Sequence, residues 1–500
     1  MGHEVRIAPA RAHNLFVMST SLSRRGFLQS AAAVSAAFTG LSRLSAAAAD
    51  APAWSRYGAL IPDPAGVMAL PKGFSYRVIA TRGMALDDGL RLAGMPDGAA
   101  CFAVPGDPER VVLVVNHEVG PERMEQSPFV GDAAGLAGVD LGRVYDLGRG
   151  VRPSPGGCSS IVYRPSTGEV EKRFMSLLGT ERNCAGGPTP WGTWLSCEET
   201  VARADDVREL DHGYVFEVPA TTTIGAANPV PLTAMGRFNH EACAVDPRTG
   251  IVYLTEDRQD GALYRFIPDA PGRLARGGRL QTLVIRDRPA HDTRNWLVPV
   301  TGEEAAAATT PAGHTDLDPG DRSPHPTPKN TSMAVSWVDM ENVVSPKDDL
   351  RHQAWAKGAA RFARGEGMWW SKDGCYFAAT TGGLNRKGQL WRYVLSASEA
   401  TAAEGRDPGH LELFLEPNDH ELVENADNLT VAPWGDLVVS EDAKRRNELV
   451  GVTPEGRVYK LAENTGSDSE FAGSCFSPDG STLFTNIQGE GLTLAITGPW

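Results

Sequence analysis

Carboxylates, amides and one thiol recur in this chain in short clusters that could hold cations. Asn116-His117-Glu118 follows the apolar run VVLVV, and residues 183–199 read NCAGGPTPWGTWLSCEE. Arg237-Phe238-Asn239-His240-Glu241 is followed at a distance by Glu256-Asp257. Then come Arg364-Gly365-Glu366-Gly367, Ala426-Asp427-Asn428 with Glu441-Asp442, and Ser477-Pro478-Asp479-Gly480 with Asn486 and Gln488. Hard cations such as calcium take six to eight oxygen donors, which repeated Asn, Asp and Glu at strand ends supply. A thiolate among carboxylates suits a transition metal such as iron. Cys184, read here as part of a flexible Ala-Gly-Gly turn, is the thiol placed to reach a central ion. The histidines of the two Asn-His-Glu triplets, His117 and His240, are candidates for orienting ligands or moving protons.

The elements that must position these groups are hairpins. ACAVDPRTGIVYLTED from Ala242, WWSKDGCYFAATT from Trp369, NLTVAPWGDLVVSED from Asn428 and CFSPDGSTLFTNIQ from Cys475 each read as strand, Gly-containing turn, strand. SIVYRPSTGEVEKRF from Ser160 and GPTPWGTWLSCEE from Gly187 are weaker copies. Turn chemistry explains the Asp and Gly inside the turns, as at Asp246, Asp373 and Asp479, but not the acids after the second strand. Irregularly repeated hairpins imply an all-β propeller or a large sandwich, and the acids at their ends favour the propeller, whose loops meet around one axis. An irregular insertion is expected near 303–330 and a short helix within 348–363. Residues 50–500 are read as one domain.

The chain has 500 residues, 41% hydrophobic and 22% charged, with a net charge of −14. Such acidity speaks against nucleic acid and against a polybasic membrane footprint. Ser23-Arg24-Arg25-Gly26-Phe27-Leu28 before an Ala-rich stretch has the form of a twin-arginine signal peptide over residues 1–49, with Ala47-Ala48-Ala49 as the cleavage site. The expected destination is the periplasm or the exterior, through the twin-arginine translocation machinery. No later segment has the length of apolar sequence that membrane insertion of the mature chain requires. Seven cysteines without CxxC spacing form neither a disulfide framework nor a zinc ribbon.

Taken together, NCAGGPTPWGTWLSCEE, the Arg-x-Glu-Gly element, the Asp-Asn-Leu strand and the ending FSPDGSTLFTNIQ…ITGPW resemble the PhoX family of alkaline phosphatases, from about Trp54 to Trp500. The resemblance implies a six-bladed β-propeller and an iron and calcium cluster in which an oxo or hydroxo species bridging the metals attacks a phosphomonoester. It places an iron ligand at Cys184, a metal-binding Glu at Glu366, a phosphate-contacting Arg at Arg364, and a further iron ligand at Glu241 or Glu256. Glu198, Glu199, Asp427 and Glu441 are candidates for the rest of the shell. One departure stands out: the family's Pro between Arg and Glu is Gly365, a residue that loosens backbone.

Two other readings compete. A calcium-dependent propeller lactonase needs acids and an Asn but no thiolate. A non-catalytic propeller would use calcium only to rigidify a binding surface.

Overall fold

The computed structural model describes residues 55–129, 136, 138–296 and 326–500. The expected signal peptide and nearly all of the expected insertion lie outside the described residues. No helix among the described residues is long and apolar enough to cross a membrane.

Each hairpin read from the sequence is present, because alternating apolar runs broken by a turn bury one face per strand. The first sheet meanders in chain order through Pro96–Val104, Asp107–His117, Gly156–Arg164 and Glu169–Thr180. Three strands follow, Asn183–Pro188, Thr193–Glu198 and Val215–Pro219. A nine-stranded sheet then holds two four-stranded meanders, starting at His240–Val245 and Gly365–Ser371. The strand Ser332–Asp339 joins them by pairing with Gly278–Ile285 and His410–Leu415. The fourth sheet begins at Ala426–Val431 and the last at Phe471–Phe476.

An early described strand closes on the last one. Ser75–Thr81 pairs with Leu492–Thr497 as the outer strand of the last sheet. Trp500 meets Phe74, Phe476 and Trp434 at ring distances of 4.8, 5.3 and 5.7 Å. The ITGPW ending is therefore an aromatic clasp.

The arrangement is all-β and propeller-like. The strands that open each meander, at Pro96, Asn183, His240, Gly365, Ala426 and Phe471, neighbour one another in chain order, and the last packs on the first. Apolar clusters fill the spaces between sheets. The expected helix is shorter than read, Leu350–Ala356.

Candidate metal centre

All six inner strands carry the same irregularity. Pairing with the second strand jumps from Pro96 to Ala99, Asn183 to Gly186, His240 to Cys243, Gly365 to Met368, Ala426 to Leu429 and Ala472 to Cys475. In each case the inner strand advances three residues while its partner advances two, which is a one-residue β-bulge. The residue just after the first pair is Asp97, Cys184, Glu241, Glu366, Asp427 or Gly473. A bulge re-aims a side chain out of the pleat, and five of the six positions hold a possible metal ligand. Their close neighbours are small because backbones nearly touch. A Cβ on Gly98 would lie 2.5 Å from Ala185 Cα, and one on Gly367 would lie 2.6 Å from Asn428 Cα. The Ala-Gly-Gly after Cys184 is corrected from a flexible turn to strand, since a Cβ on Gly186 would lie 1.8 Å from Leu195 O.

A second layer comes from the ends of the second strands. The amides of Glu118, Glu199, Asp257, Thr380 and Asp442 donate to the carbonyls of Met95, Arg182, Asn239, Arg364 and Asn425 at 2.8–3.1 Å. The result is a chain of overlapping groups, each with its ligand atoms within 4.8 Å of one another: Asp97–Glu118–Cys184, Cys184–Glu199–Glu241, Glu241–Glu366–Asp427 and Asp427–Asp442–Glu470.

Of the residues expected from sequence, Cys184, Glu199, Glu241, Glu366 and Asp427 come together, with Arg364 beside them. Arg364 donates from Nε and Nη2 to Asp257 at 2.8 and 3.1 Å and from Nη2 to Glu366 at 2.7 Å. Glu198, Glu256 and Glu441 do not join, which revises the expectation for each. Side chains alternate along a strand, so in Glu198-Glu199, Glu256-Asp257 and Glu441-Asp442 only the second acid faces the ring. The first acid ties backbone instead. Glu198 accepts from the amides of Glu181, Gly213 and Tyr214 and from His212 Nδ1. Glu256 accepts from Ala262 N and the Tyr264 hydroxyl, and Glu441 from the amides of Glu424 and Glu448. Of the two alternatives, Glu241 lies within the ligand groups and Glu256 lies outside them.

His117 and His240 also turn away. His117 bonds Gly94 O and Ser159 Oγ at 2.9 Å each, and burial holds it neutral, with its pKa down at about 4. His240 bonds Gly236 O at 3.1 Å and lies against the Phe238 ring, its pKa lowered by burial to about 3. Sequence reasoning missed Asp97 and Glu470, and it did not choose Glu118 and Asp442 from pairs it had noticed. Aligning Pro96-Asp97-Gly98 with Gly365-Glu366-Gly367 would have found Asp97. Glu470 carries no comparable signal.

The centre is short of positive charge. Burial, and then neighbouring acids, push Asp97, Glu199, Glu241 and Glu366 well above the carboxylate range. Burial raises Glu118 to about 7 despite Arg182 and Arg123, and it raises Asp427 to about 6. Burial, Asp97 and Glu241 raise the Cys184 thiol as well. Both Glu241 oxygens are buried without a hydrogen bond of acceptable geometry, although the Cys184 thiol is adjacent, and Asp97 Oδ1 is likewise unpartnered. Buried carboxylates in this condition fit cations. Gln488 Nε2 secures part of the set, donating to Asp97 Oδ2 at 2.6 Å and Glu118 Oε2 at 3.0 Å. Asn116 Nδ2 fixes the Cys184 strand through the carbonyls of Cys184 and Ala185, at 3.1 and 2.7 Å.

Known proteins resemble this chain in sequence and in fold. The family described as alkaline phosphatase PhoX matches residues 55–147 and 163–491. No curated protein matches the chain. Among solved structures, PhoX of Pseudomonas fluorescens in complex with vanadate, a transition state analogue, is similar at a TM-score of 0.60 and 18% identity. That match covers 87% of this chain and 96% of the other. A gluconolactonase of Xanthomonas campestris is more distant, with a TM-score of 0.36 and 12% identity over 90% and 99% of the two chains.

Proposed function

The chain belongs to the alkaline phosphatase PhoX family, phosphoric monoester hydrolases, and from that premise we propose that it is an exported phosphomonoesterase working through an iron and calcium cluster in a six-bladed propeller. The nine-stranded sheet then counts as two blades bridged by Ser332–Asp339. The observation that carries the cluster is Glu241. It is fully buried, has no acceptable donor at either oxygen, and is shared by two of the four ligand groups.

The donor set fits mixed metals. Cys184 with Glu199, Glu241, Asp97 and Glu118 offers sulfur and oxygen, which suits iron. Asp427, Asp442 and Glu470 offer oxygen alone, which suits calcium. When bound, the ions supply charge to hold a phosphate, an activated oxygen nucleophile and stabilisation of the leaving oxygen. The protein's own residues do the rest. Asp257 grips Arg364 through Nε and Nη2, so the guanidinium is held flat, with Nη1 unengaged by any described residue. Its side chain is 29% exposed, which leaves that edge available to non-bridging phosphoryl oxygens. Gln488 and Asn116 hold ligands in place. A thiol amid the acids favours this reading over an oxygen-only lactonase site.

Elemental analysis beside a chromogenic phosphomonoester assay tests the reading. Iron and calcium should copurify, and chelation should abolish turnover. Full activity in metal-free protein, or no hydrolysis with both metals loaded, would sink it. Export is tested with Arg24→Lys and Arg25→Lys together, which should retain the enzyme in the cytoplasm; unaltered secretion would remove the twin-arginine route.

A further inference from the structure

Two arginines stand at equivalent places in the repeated inner strands. Arg182 and Arg364 each lie two residues before a ring side chain, Cys184 and Glu366. Both adopt left-handed backbone, at φ 47° and 53°. Each carbonyl accepts the amide at its own second-strand end, Glu199 and Thr380, at 2.8 and 2.9 Å. Each guanidinium reaches back to the acid at the end of the preceding hairpin. Arg364 meets Asp257, and Arg182 Nη1 meets Glu118 Oε1 at 3.4 Å. The equivalent residues elsewhere are Met95, Asn239, Asn425 and Phe471, so among the described residues these two alone are cations at this position. Left-handed backbone is costly for a long side chain and cheap for glycine. Met95 and Asn425 share that backbone, at φ 47° and 53°, so the conformation belongs to the repeat, and what sets the two places apart is the cationic side chain.

We propose that Arg182 is a second substrate-facing arm, which contacts the phosphoryl group of a phosphomonoester from the side of the Glu241 strand opposite Arg364. The inference rests on the phosphatase reading. Arg182 is 37% exposed, comparable with Arg364. Its other partner is Glu122 at 2.7 Å, which is half exposed, and such surface pairs are weak enough to yield to a dianion. The two arms are separated by one inner strand and straddle the carboxylates shared between ligand groups.

The test uses metal-loaded enzyme and its Arg182→Gln and Arg182→Lys variants. It measures KM, kcat, the inhibition constant of inorganic phosphate, and iron and calcium content. Arg182→Gln should weaken phosphate inhibition and raise KM by tenfold or more with metal content unchanged. Lysine, which lacks the planar fork, should recover only part of the affinity. An unchanged phosphate constant in Arg182→Gln overturns the proposal. So does metal loss in that variant if Arg182→Lys restores both metal and full phosphate affinity, because Arg182 then only balances Glu118. If the parent enzyme neither hydrolyses phosphomonoesters nor binds phosphate, the phosphatase reading fails first.

Discussion

In each Asn-His-Glu triplet, consecutive residues of the same strand end have opposite duties. Glu118 and Glu241 belong to the candidate ligand groups, while His117 and His240 bond backbone or hydroxyl instead. Burial lowers the pKa of both imidazoles, to about 4 and about 3, so both are neutral near pH 7. Paired substitutions separate the two duties. Glu118→Gln should lower bound metal and activity together, by tenfold or more, with little loss of stability. His117→Gln should keep its metal complement and cost about 1–3 kcal/mol of stability, since a buried donor and acceptor lose their partners. Denaturant unfolding and elemental analysis on both proteins would decide; equal metal loss in His117→Gln would return that histidine to the centre.

At the scale of the strand, the bulge is the device that makes a ring out of hairpins. The sixth bulge shows what it demands. Gly473 has φ 62°, and a Cβ there would stand 2.0 Å from Asp97 O and 2.8 Å from Asn486 Nδ2. The last inner strand therefore lends no ligand at this place. It packs on the backbone of the first ligand strand, with Asn428 Oδ1 accepting the Gly473 amide at 2.9 Å. Gly473→Ala is expected to destabilise the protein by more than about 1 kcal/mol and to weaken metal binding through Asp97. Thermal unfolding and metal titration read the two effects, and an alanine variant with parental values in both would refute the packing account. The bulge also explains what the sequence could convey. The hairpins follow from turn chemistry, whereas Cys184, Glu366 and the choice of Glu241 or Glu256 come from the family resemblance, with Glu199 and Asp427 as further acids of the same clusters. Which acid of Glu198-Glu199 or Glu441-Asp442 faces inward depends on a one-residue offset between two ladders. That offset is a property of pairing and leaves no mark in either strand alone.

For the whole molecule, the net charge of −14 and the inward crowding of carboxylates set a requirement that the fold alone does not meet. In metal-free protein, burial raises Glu118 from 4.5 to about 7 and Asp427 from 3.8 to about 6. The folded chain then holds protons that the unfolded chain releases. This contribution to stability is fully present below about pH 4 and is lost as pH rises through 6 and 7. Metal-free protein should accordingly melt at progressively lower temperature from pH 5 to pH 8. Metal-loaded protein should lose that slope, because cations replace the protons, and loading at pH 6 should release protons into solution. Calorimetry across pH with and without iron and calcium, together with proton release measured in buffers of different ionisation enthalpy, checks both halves. A metal-free melting temperature that stays flat or climbs over this range would mean the acids are already neutralised within the protein, and the ring would then have no need of ions.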